Sequence, residues 1–120
     1  MKPPKKALAV PALFVTVPSA QADRTALTLQ AKGLRVTRAD NICFAEMYAE
    51  THRFEAAIYD HSLGQEEQVS LARVMRIRWP WMKLLRWVSP GAPLLEDDLF
   101  DWSVHSEPEL AACVERRLTS

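Results

Sequence analysis

Two hydrophobic rhythms alternate along this chain. Short apolar or β-branched runs, bounded by Pro, Gly or Asp, are followed by stretches in which apolar residues recur every three or four positions. The first run, Leu13 to Val17, is stopped by Pro18 and reads as a strand. Residues 20–32 then read as a helix, with Leu27 and Ala31 on one face and Gly33 where a C′ residue belongs. A short strand over 34–37 follows, then a helix over 41–52 that Asp40 can cap and that carries Ile42, Ala45 and Ala49 on one side. The run from Phe54 to Tyr59 is apolar and of strand length, and it drives into Asp60. Residues 64–78 read as a helix with Val69, Ala72 and Met75 at three-residue spacing, ended by Pro80. A fourth strand over 82–88 is interrupted by Lys83 and Arg86. Ser89-Pro90-Gly91-Ala92-Pro93 excludes regular structure, residues 94–100 allow at most two turns of helix, and 102–104 is a brief fifth strand. Ser106-Glu107-Pro108-Glu109 is a capping box that opens a last helix with Leu110, Cys113, Val114 and Leu118 as its stripe.

Strands alternating with helices imply right-handed crossovers and a parallel sheet. One α/β domain, a three-layer sandwich over residues 13–120, accounts for the whole pattern, preceded by a basic arm over 1–12. A parallel strand covered by helices on both faces reads as a continuous apolar run, which makes Phe54 to Tyr59 the central strand. In such sheets ligands and chemistry sit just beyond the carboxyl ends of the strands, which is where Asp60 falls.

Charge narrows the field. Among 120 residues, 15 acids balance 15 bases, so no net field favours nucleic acid or an anionic membrane. Arg73, Arg76, Arg78, Lys83 and Arg86 accordingly read as a solvated basic edge. The two cysteines, Cys43 and Cys113, lie in helical patterns without metal-ligand spacing and read as buried free thiols of a reducing, cytoplasmic compartment. Met1 to Ala22 has the basic, apolar and small-residue sections of a secretory signal peptide. Cleavage there would start the chain at Asp23 without its first strand and would leave a secreted periplasmic binding module. No other stretch approaches membrane-spanning length. There is no Ser-His-Asp set, no phosphate-cradling Gly loop and no Cys-Cys pair, so neither an enzyme nor a bound cofactor or metal is expected. His61 and His105 both follow strand ends. Their metal or proton-relay reading stands against the commoner one of isolated surface histidines.

The order of these features resembles the receiver domain of two-component response regulators over essentially Leu13 to Leu118. It rests on Gly33 closing the first helix, Tyr59-Asp60 ending the third strand, Arg76-Ile77-Arg78-Trp79-Pro80 before the fourth, and Asp101-Trp102-Ser103-Val104-His105 around the fifth. The resemblance implies a flavodoxin-like, CheY-like sheet of order 2-1-3-4-5. It also implies a phosphoacceptor aspartate, an acidic pair that holds magnesium, and a hydroxyl and a lysine that contact the phosphoryl group. Asp60 matches the acceptor. The acidic pair falls on Val17 and Pro18 or a residue either way, where no acid is present. Ser89 matches the hydroxyl position, and His105 stands where the lysine would be. Residues 89–105 are also shorter than the family pattern, so the fourth helix is expected to be shortened or irregular.

Magnesium wants carboxylates, and it neutralises the charge that develops in phosphoryl transfer. A histidine in place of the lysine exchanges a fixed cation for a mostly neutral imidazole. The implied function is therefore a phosphorylation-independent pseudo-receiver, a protein-interaction module of signal transduction. The alternative is a single-domain regulator phosphorylated on Asp60. Trp79, Trp81, Trp87 and Trp102 cluster around the last two strands, and Trp is enriched at interface hot spots. They serve either as core packing or, with Leu94, Leu95, Leu99 and Phe100 beside Glu96-Asp97-Asp98, as a face for a signalling partner or a second copy.

Overall fold

The computed structural model describes residues 9–119. Five parallel strands form one sheet of order β2-β1-β3-β4-β5. They are β1 (Val10–Val15), β2 (Leu34–Ala39), β3 (Ala56–Tyr59), β4 (Lys83–Trp87) and β5 (Trp102–Val104). Four α-helices connect or follow them: α1 (Ala20–Ala31), α2 (Ile42–Thr51), α3 (Gln65–Arg78) and α4 (Glu107–Arg117). The sheet is a flavodoxin-like three-layer sandwich. One core lies between the sheet and α2 and α3, around Leu13, Val15, Tyr59, Leu84 and Phe100. The other lies against α1 and α4, around Phe14, Ile58, Leu85, Trp87 and Val104.

Strand β3 is buried at every position, as its unbroken apolar run requires. Strand β1 begins at Val10 and ends at Val15, so it lies earlier than the 13–17 run. It pairs with β2 on one side and β3 on the other. A chain starting at Asp23 would lose this strand and split the sheet. The opening residues of the basic arm, 1–8, lie outside the described residues.

Local chemistry explains most of the helix ends. Ser19 caps α1 by accepting from Ala22 N at 2.9 Å. Gly33 follows with φ 105, the left-handed conformation that glycine adopts at little cost. The face expected for α1 is corrected: Leu27 is 65 % exposed, and the buried side is Ala22, Thr25, Ala26 and Leu29. Asn41 caps α2, not Asp40, because its side chain reaches Phe44 N at 2.9 Å. Before α4, Ser106 Oγ accepts from Glu109 N, while the Glu109 carboxylate reaches one residue further back, to His105 N at 2.8 Å. Cys43 is exposed rather than buried, and Cys113 is buried; both are free.

The segment between β4 and β5 holds no α-helix, only a 3-10 turn over Asp97–Leu99. The expected irregular fourth helix is thus a strap. Arg86, expected on a solvated edge, lies beneath it and is 0 % exposed. Arg86 projects from the α2/α3 side of β4, where a fourth helix would otherwise cover the sheet. Its guanidinium donates to Leu95 O at 2.6 Å, Ser103 Oγ at 3.0 Å, Asp97 Oδ1 at 3.3 Å and Gln65 Oε1 at 3.4 Å, and stacks 4.3 Å from the Phe100 ring centroid. A buried charge is tolerable only when it is paired and hydrogen-bonded, and this one is. Sequence rhythm reads an arginine as surface and does not register that the helix meant to cover it is missing.

Candidate functional site

Asp60 follows β3 directly and is 5 % exposed. Its backbone N donates to Val15 O at 2.9 Å, which fixes it beside the end of β1. Oδ2 accepts from Thr16 Oγ1 at 2.8 Å and from Ser62 Oγ at 2.6 Å, with Ser62 N at 3.4 Å. Ser62 Oγ in turn accepts from Val17 N at 3.0 Å. The two hydroxyls lie 3.4 Å apart. The result is a chain of donors, Val17 N–H to Ser62 O–H to the carboxylate, closed from the other side by the Thr16 O–H. Hydrogen bonds to an ionised group contribute about 1.5–3 kcal/mol each, and O–H to carboxylate is the short, strong kind. They offset the cost of burying the charge.

Thr16 is fully buried at the end of β1, with its N–H paired to Ala39 O at 3.0 Å. Thr16 is one residue before the first of the two positions matched to the acidic pair. Val17 and Pro18 are both exposed, and of the two Val17 reaches the site through its main-chain N–H. Ser89 is exposed. His105 is half-buried, and its Nδ1 is enclosed without a hydrogen-bond partner. His61 is half-buried too, and its ring lies 4.2 Å from that of Trp87. Neither histidine is the isolated surface residue of the commoner expectation. Gln68 is buried and spans two strands, donating from Nε2 to Asp60 O and Trp87 O, each at 3.1 Å.

Thr16, Ser62 and Gln68 were not candidates on sequence grounds. Ser62 did carry a signal: an acid followed two residues on by a serine before a Gly-led helix is a frequent turn arrangement. Thr16 and Gln68 carried none, because only the pairing of β1 with β3 and the packing of α3 bring them to Asp60.

Magnesium is the ion that the fold implies here, and the donor set does not fit it. The ion demands near-octahedral oxygen ligands and is usually held by one or two carboxylates. From the β1 side Asp60 receives only the neutral Thr16 hydroxyl, and the next two residues, Val17 and Pro18, have no side-chain oxygen to offer a cation. Among the described residues no three His, Cys, Asp or Glu side chains come together as a metal site.

The residues expected at a partner face divide. Trp87 and Phe100 are buried in the two cores. Leu99 and Trp102 are half-buried against them. Leu94 and Leu95 are 37 % and 44 % exposed on the strap. Beside them, between the strap, β5 and α4, lies a cavity of about 560 Å³ bordered by Leu94, Asp97, Trp102, Cys113 and Arg116. Of the other tryptophans, Trp79 is buried and Trp81 is exposed, with Arg53 stacked 4.3 Å from its ring. No helix is long and apolar enough to cross a membrane among the described residues.

The sequence matches no protein-family model and no curated protein. Solved structures are similar in shape. A CheY-like receiver domain from Methanospirillum hungatei superposes with a TM-score of 0.75 at 21 % identity, over 92 % of this chain and 94 % of that one. The chemotaxis response regulator CheY4 of Vibrio cholerae gives 0.76 at 17 % identity, over 91 % and 98 %. The response regulator TrrA of Thermotoga maritima, solved in complex with Mg(2+)-BeF, gives 0.77 at 17 % identity, over 89 % and 97 %. With its strand order, its Asp60 at the end of β3 and these superpositions, the chain has the fold of the response-regulator receiver domains.

Proposed function

We propose that this chain is a degenerate receiver, a non-enzymatic signalling module of the cytoplasm that binds a partner protein, or a second copy of itself, without being phosphorylated. The observation that carries the reading is the state of Asp60. Its Oδ2 is engaged by two hydroxyl groups, and among the described residues no cluster of three His, Cys, Asp or Glu side chains could hold a cation there. Phosphoryl transfer depends on positioning and on neutralising charge, and the positions matched to the acidic pair and the lysine hold Val17, Pro18 and His105 instead. The interaction face is the strap and β5. Leu94 and Leu95 are its exposed apolar members, Leu99 and Trp102 its half-buried ones, and Glu96 and Asp98 its acidic rim.

The second reading, a regulator phosphorylated on Asp60, draws on the position of that carboxylate at the carboxyl end of a central strand, where such sheets keep their chemistry. Incubation with acetyl phosphate and magnesium, followed by intact-mass measurement, separates the two. The proposal expects no added phosphoryl group. A single phosphoryl group that disappears in Asp60→Asn would establish the second reading instead.

A further inference from the structure

We infer that Thr16 and Ser62 form a built-in latch, which braces the β1–α1 loop against the β3–α3 loop in the space where a receiver would seat its cation. The inference rests on the reading of Asp60 as a carboxylate that is not phosphorylated, and it adds what that carboxylate does. Both hydroxyls converge on one oxygen, Oδ2, from two different loops: Thr16 from the end of β1 at 2.8 Å, Ser62 from the β3–α3 turn at 2.6 Å. A hydroxyl has one proton to give. Thr16 Oγ1 is closest to the carboxylate, and its contacts with Val17 O at 3.2 Å and Ser62 Oγ at 3.4 Å are longer. Ser62 gives its proton to Oδ2 and accepts from Val17 N at 3.0 Å, so the main chain of the first loop is tied to the side chain of the second.

Such an arrangement does two jobs of a divalent ion. It supplies positive hydrogen atoms to the carboxylate, and it links two loops that share no backbone ladder beyond the strand ends. It also excludes the ion. A cation at Oδ2 would have to displace both hydroxyl protons and the Val17–Ser62 bond, and would receive a neutral oxygen from Thr16 in return. Thr16 is therefore the positioning residue that decides whether the pocket holds itself or holds a metal. A carboxylate at this position would put two acids on one space, the arrangement a hard cation requires.

The test reads cation binding by intrinsic fluorescence, since the Trp87 ring lies 4.2 Å from that of His61, the residue next to Asp60. Magnesium and manganese are titrated into the full chain and into Thr16→Asp. The expected result is no saturable response in the wild type and a saturable millimolar response in Thr16→Asp that is lost in Thr16→Asp/Asp60→Asn. A saturable response of the wild type that Asp60→Asn removes would overturn the inference. So would a folded Thr16→Asp protein that does not respond.

If Thr16→Asp does not fold, the double variant Thr16→Val/Ser62→Ala decides by hydrogen exchange. Protection at the Val17 and Ser62 amides should fall by about tenfold or more relative to the β3 amides, because local opening is what the latch resists. Unchanged protection there would overturn the latch. The phosphodonor experiment is independent of both readouts. A phosphoryl group on Asp60 alongside cation-silent fluorescence would sink the proposed function and leave the latch standing. The reverse combination would sink only the latch.

Discussion

The guanidinium of Arg86 meets a ring, a carboxylate, two side-chain oxygens and a main-chain carbonyl, and is fully buried among them. Burial pulls its pKa below the usual arginine value, and the hydrogen bond and charge of Asp97 oppose the shift. Removing Arg86 empties the space beneath the strap and strips Leu95 O of its partner, at a cost of about 2–5 kcal/mol, so Arg86→Ala should unfold at markedly lower denaturant or temperature. Asp97 is about two-thirds exposed, and solvent screens its charge. Asp97→Ala should therefore cost only about 1 kcal/mol, since four other partners of Arg86 remain. Equal losses from the two substitutions in urea melts would contradict this account. Tyr59 and Cys113 set a pH limit. Burial raises the Tyr59 pKa far above its ordinary value of 10.0, with its OH on Met75 Sδ at 3.0 Å, and burial raises Cys113 as well. Groups whose folded pKa is raised keep their stabilising effect below the unfolded value and lose it as pH climbs beyond. Stability should hold up to about pH 9 and then fall by as much as about 1.4 kcal/mol per pH unit for each group that ionises only in the unfolded chain. Urea midpoints that stay flat from pH 8 to pH 11 would contradict it.

At the scale of elements, the strap is fastened from α3 and β4 by side chains that grip its backbone. Gln65 donates to Pro93 O at 2.6 Å and accepts from Leu95 N at 2.9 Å. Arg76 donates to Leu99 O at 2.8 Å and pairs with Asp101, whose carboxylate also accepts from Leu84 N. Gln65→Ala removes both of its strap bonds and should cost about 1–2 kcal/mol. Its clearest mark would be faster amide exchange over residues 93–100 with α3 unaffected. Uniformly faster exchange across the whole chain would point to a global effect instead. The elements themselves were legible from rhythm: every strand and helix appears where apolar spacing puts it, give or take a few residues. Two misreadings have different sources. Leu27 drew the α1 stripe to the wrong face because a single large apolar residue outweighs the small Ala22, Thr25 and Ala26 that fit against a sheet. Arg86 looked solvated because the sequence shows which helix is shortened but not which residue fills the gap.

For the whole molecule, topology was the most legible feature and the site the least. A parallel sheet follows from the alternation of strands and helices, its order 2-1-3-4-5 from the resemblance to receiver domains, and Asp60 at the end of β3 from the apolar run before it. Its partner Ser62 is a near neighbour in sequence, but Thr16 lies 44 residues away, and only the folded sheet brings it to Asp60. Leu94 and Leu95 form a small apolar surface, far short of the roughly 800 Å² per partner of a standard stable interface. Self-association through the strap should therefore be weak and concentration-dependent, and Leu94→Asp/Leu95→Asp should abolish it in sedimentation experiments while leaving the melting temperature within about 3 °C. Persistent association of that variant would move the interface elsewhere. The fastening of the strap has a consequence for how such a surface could diversify. Gln65, Arg76 and Arg86 hold carbonyls at Pro93, Leu95 and Leu99. A carbonyl is the same whatever residue bears it, so positions 94, 95 and 98 can be rewritten for a new binding companion without loosening a single anchor.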